Sequence, residues 1–150
     1  MSAAEEGKAK KDLPLPMPVE MLLPHRKPMC LVDRLVEFRD ASGVVEALVD
    51  PESPLIGEDG GLDRIAFIEL IAQSYAAVRG YSDLLHGEGV KKGFLVAAKM
   101  IEVKAAAAVG DMLRIRVTTT GEFGDFTLAD GVVTSGGEIL AWGSITVWVP

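Results

Sequence analysis

Ile65-Ala66-Phe67-Ile68-Glu69-Leu70-Ile71-Ala72-Gln73-Ser74-Tyr75-Ala76-Ala77-Val78 is apolar nearly all round when wound at about 3.6 residues per turn. A helix of that kind is buried, so the rest of the chain must wrap it. Asp63 stands where a cap belongs and Gly80 where a helix stops, which predicts about sixteen helical residues, roughly 24 Å. Upstream, residues 30–38 carry β-branched and aromatic side chains, Asp40-Ala41-Ser42-Gly43 reads as a turn, and residues 44–49 alternate as a partner strand. Residues 50–61 are too rich in Pro, Gly and acids for a regular element. Downstream, residues 93–103, 112–120, 123–135 and 138–149 read as strands, with turns at Val109-Gly110-Asp111, Gly121-Glu122 and Ser135-Gly136-Gly137. Ahead of all this, Leu13-Pro14-Leu15-Pro16-Met17-Pro18 holds the backbone extended, and residues 19–23 make a helical turn or two ended by Pro24. The expected class is α+β, an antiparallel sheet of five or six strands curled round one long central helix. Tight hairpins argue against a doubly wound parallel sheet, and no glycine fingerprint follows a strand to mark a nucleotide site.

The chain has 150 residues, 49% hydrophobic and 25% charged, with a mean hydropathy of +0.26. This composition excludes a disordered or low-complexity chain and suits one domain, expected over residues 13–150 behind a frayed tail at 1–12. So apolar a chain is expected to hide surface against a second copy or around an apolar ligand. No run reaches the roughly 18 apolar residues of a membrane span. Residues 1–12 show no apolar signal region, so a cytoplasmic location is expected. The single cysteine, Cys30, lies among apolar neighbours and reads as a core residue, and no metal-ligand spacing is visible. A net charge of -7 argues against nucleic acid as a partner.

Glu69 is the informative exception. A carboxylate flanked by Phe67, Ile68, Leu70 and Ile71 must either keep its proton or find a cation or hydrogen-bond donor, and both states suit acid–base chemistry. Gln73 lies one helical turn on, and with Ala66, Ala76 and Ala77 these residues form a small and polar stripe where a ligand or a second backbone fits closely. The competing reading makes Glu69 a hydrogen-bonded residue of a subunit contact. His25, held between Pro24 and Pro28, is either a second catalytic group or a tie for its own loop, whereas His86 lies in a glycine-rich connection and reads as solvated. Gly60-Gly61 ahead of the helix could offer free N–H groups to a carbonyl oxygen, or serve only as turn residues.

Leu22-Leu23-Pro24-His25-Arg26-Lys27-Pro28-Met29-Cys30-Leu31-Val32-Asp33-Arg34 resembles the opening motif of the bacterial 3-hydroxyacyl-[acyl-carrier-protein] dehydratases of the hotdog fold, and Ile68-Glu69-Leu70-Ile71-Ala72-Gln73 resembles their central-helix motif. Ala108-Val109-Gly110-Asp111 and Gly137-Glu138-Ile139-Leu140-Ala141 are similar to later turns of that family, so the likeness spans residues 19–149. The resemblance implies a hotdog domain in which Glu69 is the acid that protonates the departing hydroxyl. The family's base is a histidine in a His-Phe-Pro-Gly loop ahead of the helix, supplied across a dimer. Here that loop, Pro54-Leu55-Ile56-Gly57-Glu58-Asp59-Gly60-Gly61-Leu62-Asp63, has no histidine. In this the chain resembles the dehydratase-like members of aryl-polyene and related polyketide-type lipid pathways.

Three readings follow from the resemblance. The first is a dehydratase-like enzyme on 3-hydroxyacyl thioesters with Glu69 and His25 as catalytic groups and Gln73, Gly60 and Gly61 binding substrate. The second is a thioesterase working through the helix carboxylate. The third is a non-catalytic acyl-binding subunit whose hotdog mate supplies the missing histidine. The implied substrate rides on the phosphopantetheine of an acyl carrier protein or of CoA, with no other cofactor and no metal. Carrier proteins are acidic, so Arg26, Lys27, Lys91 and Lys92 are the expected docking residues. The expected assembly is a homodimer or higher hotdog oligomer, or a hetero-oligomer with a second hotdog subunit.

Overall fold

The computed structural model describes residues 13–150, and the tail expected at 1–12 lies outside the described residues. Strand β1 (Met17–Pro18) leads into a 3-10 turn at Val19–Met21, followed by β2 (Arg34–Arg39) and β3 (Ser42–Leu48). Helix α1 (Ala66–Leu85) follows, then β4 (Phe94–Val103), β5 (Met112–Phe123), β6 (Phe126–Ser135) and β7 (Glu138–Trp148). The strands form one antiparallel sheet in the order β1-β2-β3-β5-β6-β7-β4, so the strand after the helix is laid at the far edge. The sheet has seven strands against the five or six expected. The addition is β1, too short to carry a period, with Pro18 tolerated because it sits on an edge.

Along β5 the buried residues Leu113, Ile115 and Val117 alternate with the exposed Met112, Arg114 and Arg116, the period-two pattern of a sheet with one wet face. Phe67, Leu70, Ile71 and Tyr75 of α1 fill the concave side against them. Charge on the wet face is organised too: Arg114 reaches Glu37 at 2.7 Å and Glu46 at 3.1 Å.

β2 starts at Arg34 and not at Cys30, and β3 at Ser42, inside the expected turn; two further boundaries also differ from the sequence expectation. The helix runs through Gly80 to Leu85 and turns off at His86 and Gly87, the latter at φ 74°. Gly80 is there for close packing: a Cβ on it would stand 2.0 Å from the Leu22 carbonyl oxygen, so the leading segment presses on the helix backbone where other residues have a side chain. The hairpin expected at Gly121-Glu122 turns instead at Gly124-Asp125, and Gly121 marks a shift of register between β5 and β6. At the helix start, Asp63 Oδ1 accepts the Ile65 N–H at 3.0 Å, closing the turn that leads into Ala66.

β4 departs from the rest. Phe94, Leu95 and Val96, the last standing where the register to β7 shifts, are consecutive and all exposed, as is Met100. This strand is paired only to β7; Val103 packs on the core and Phe94 and Leu95 face the helix across a cavity, but most of the strand is exposed. Among the described residues no helix is long and apolar enough to cross a membrane.

Candidate active site

Glu69, Ala72, Gln73, Ala76, Gly80 and Asp83 recur every three or four residues and so share one face of α1. That face opens on a cavity of about 220 Å³ whose other walls are Leu22, Pro24 and His25 from the leading segment and Gly93, Phe94 and Leu95 at the start of β4. The structure thus brings Glu69, Gln73 and His25 to one place. Of the alanines expected in the stripe, Ala76 lines the cavity, whereas Ala66 and Ala77 are fully buried on the core side.

Gln73 is 2% exposed and uses its whole amide. Its Oε1 accepts the Leu31 N–H at 2.8 Å, and its Nε2 donates to the Met29 carbonyl at 2.9 Å and to Glu69 Oε2 at 3.1 Å. The half-buried Glu69 therefore has a hydrogen-bond donor on one of its carboxyl oxygens. Both donors of Gln73 are thus spent inside the chain, where they hold Glu69 and the Met29 carbonyl.

His25 lines the cavity but makes no hydrogen bond to Glu69, and its Nδ1 is buried without a partner among the described residues. Gly60 and Gly61 do not line the cavity, and their amides are not free. Gly60 N–H goes to the Gly57 carbonyl at 3.0 Å and Gly61 N–H to Asp59 Oδ1 at 2.9 Å, so both serve their own turn and not a carbonyl of substrate.

The four basic residues scatter. The Arg26 guanidinium clasps the carbonyls of Leu23, His25 and Glu20 at 2.8–3.1 Å, which makes it a brace for its own loop. Lys27 lies between Asp33 and Asp50 at 3.8 and 3.6 Å, on the wall of a different cavity. Lys91 alone of the four lines the Glu69 cavity, 2.9 Å from Glu88, whose carboxyl it holds below the usual range, and Lys92 Nζ stands 5.5 Å from the centroid of the Phe94 ring. Sequence reasoning missed Arg79, which lines the same cavity and reaches Tyr75 Oη at 3.3 Å and the buried Asp83 at 3.2 Å. Burial pulls its guanidinium down, but Tyr75 and Asp83 outweigh that and raise it. Its spacing of four to both partners was the available signal. Cys30 is buried as expected, its thiol donating to the Val32 carbonyl at 3.4 Å, and burial pushes that thiol up.

With the site laid out, the ApeP-like dehydratase family model matches residues 17–150. The chain belongs to this family. No curated protein sequence matches it. Among solved structures, the dehydratase heterocomplex ApeI:P from Xenorhabdus doucetiae superposes with a TM-score of 0.83 at 24% identity, over 89% of this chain and 91% of that one. A hypothetical thioesterase with coenzyme A from Streptococcus pneumoniae follows at 0.61 and 18% identity, over 77% and 84%. The Escherichia coli PaaI protein of the phenylacetic acid degradation operon gives 0.62 at 11%, over 76% and 80%. The hotdog fold expected from the two motifs is the fold of this ApeP-like protein, a dehydratase-like member of that fold.

Proposed function

We propose that this ApeP-like protein removes water from 3-hydroxyacyl thioesters, with Glu69 as the acid. The observation that carries this is Glu69 in a cavity beside an imidazole, with one carboxyl oxygen held by Gln73 and the other without a partner among the described residues. Protonated Glu69 gives its proton to the 3-hydroxyl, the C–O bond breaks, and water leaves. A base takes the α-proton, and the electrons of that C–H bond form the new double bond beside the thioester carbonyl. His25 is the histidine that lines the cavity and is the proposed base. The base gives up the α-proton to solvent and Glu69 regains one from it before the next turnover.

The cavity is walled on one side by the start of β4, whose apolar residues are exposed. A second hotdog subunit laid against β4 would roof the site, and the heterocomplex formed by the Xenorhabdus doucetiae proteins supports an unlike subunit. The thioester arm enters past Lys91, with Lys92 over the neighbouring Phe94 ring, where an acidic carrier protein or a CoA phosphate finds positive charge.

The test offers 3-hydroxyacyl thioesters to the protein, alone and with a hotdog partner, and follows products by mass spectrometry. Loss of water that disappears in Glu69→Gln supports the proposal. Loss of the acyl group replaces it with the thioesterase reading, which the shared fold with a coenzyme A-bound thioesterase favours as the second choice. Turnover of the assembled complex left unchanged by Glu69→Gln makes the chain a non-catalytic subunit. His25→Asn separates the sources of the base: activity retained in the complex moves that role to the partner.

A further inference from the structure

The polarity of the Gln73 amide is forced by the backbone around it. Leu31 presents an N–H and Met29 a carbonyl, so a flipped amide would set donor against donor and oxygen against oxygen. The third bond of Gln73 therefore has a fixed direction: Nε2 donates and Glu69 Oε2 accepts. The carbonyl oxygen of a carboxylic acid accepts a hydrogen bond far better than its hydroxyl oxygen, so an acid proton on Glu69 is directed to the other oxygen.

We infer that Gln73 is a positioning residue that reserves Oε2 of Glu69 as a permanent acceptor and makes Oε1 the oxygen that carries and delivers the catalytic proton. The inference deepens the dehydratase reading and rests on it for the word catalytic. The same amide that aims Glu69 also ties down the backbone of Met29 and Leu31, a few residues past His25, so one side chain sets the carboxyl within a cavity whose imidazole wall it helps to anchor.

Nitrogen-15 NMR of the full-length protein tests this without substrate. The two side-chain amide protons of Gln73 are assigned from peaks lost in Gln73→Glu, or from through-space contacts to Leu31 if that variant does not fold. They are then followed over pH in the wild type and in Glu69→Ala. One proton is expected to move as Glu69 titrates, to stay away from the free-amide position at both ends of the titration, and to lose that pH dependence in Glu69→Ala. A return to the free-amide position at the acid end overturns the inference, because Oε2 then takes the proton. No dependence on Glu69 overturns the hydrogen bond itself. Because this readout needs no turnover, it stands or falls apart from the dehydratase reading.

Turnover gives the second arm. Gln73→Glu keeps an acceptor for the Leu31 N–H but has at most one proton to offer either the Met29 carbonyl or Glu69, in place of two fixed donors, so kcat for water loss is expected to fall about a hundredfold with KM within about threefold. An unchanged kcat in the folded variant overturns the positioning role. A comparable rise in KM with kcat kept reduces Gln73 to a tie for the loop and likewise overturns it.

Discussion

Neighbouring residues of α1 face two different cavities. Glu69 opens on the smaller, about 220 Å³, and Leu70 on the larger, about 330 Å³, whose walls include Lys27, Cys30, Leu31, Leu62 and Leu113. The larger cavity also has charges, at Lys27, Asp33, Asp50 and Glu52, of which the first three are engaged with one another or with nearby backbone. Lys27 pairs with both aspartates, Asp33 Oδ2 accepts the Leu48 N–H at 2.7 Å, and Asp50 Oδ1 accepts the Glu52 N–H at 2.8 Å. The smaller cavity keeps an unclaimed carboxyl oxygen and an unpartnered imidazole nitrogen among the described residues. What distinguishes the smaller cavity is a buried ring nitrogen without a partner among the described residues, set in the same walls as a helix carboxyl.

The contrast can be broken in graded steps. Glu69→Gln should lower water loss by about a hundredfold to ten-thousandfold, the usual weight of a general acid, and a smaller drop in steady-state turnover would move the chemistry elsewhere. Leu113→Ala, at the floor of the larger cavity and 1% exposed, should cost about 2–5 kcal/mol by urea unfolding while the folded enzyme keeps its turnover. Lost turnover in that folded variant would give the larger cavity a share in the reaction. Gly80→Ala sets a methyl against the Leu22 carbonyl at the wall of the smaller cavity, and should cost about 1–3 kcal/mol in a thermal melt and raise KM. The gentlest step compares Lys91→Glu with Lys27→Glu. Only the former borders the Glu69 cavity, so it alone should weaken carrier-protein binding, by severalfold at low ionic strength and less at high salt. Surface calorimetry or fluorescence titration showing a larger effect at Lys27 would reverse the assignment of the two mouths.

Much of this was readable before any coordinates. The all-round apolar run marked a buried helix because no surface helix tolerates it, and Glu69 declared itself by breaking that run. The four-residue spacing to Gln73 was visible, but the bonds of Gln73 to Met29 and Leu31 cross more than forty residues of chain, a distance over which local pattern carries no signal. Gly80 was misread as a helix end because a stop and a close backbone contact select the same residue. Gly121 and Gly124 offered two turns within one hairpin, and the register that chose between them is set by pairing across β5 and β6. The placement of β4 at the far edge was equally hidden, since strand order depends on which edges remain when the sheet closes.

That edge ties stability to concentration. A subunit that covers Phe94, Leu95 and Val96 binds the folded chain and not the unfolded one, so by mass action it raises the free energy of unfolding as its own concentration rises, by about 2.7 kcal/mol at a hundred times its dissociation constant. Were the proposed subunit to sit there, the melting temperature would belong to a mixture, with protomer and partner concentrations as part of its definition.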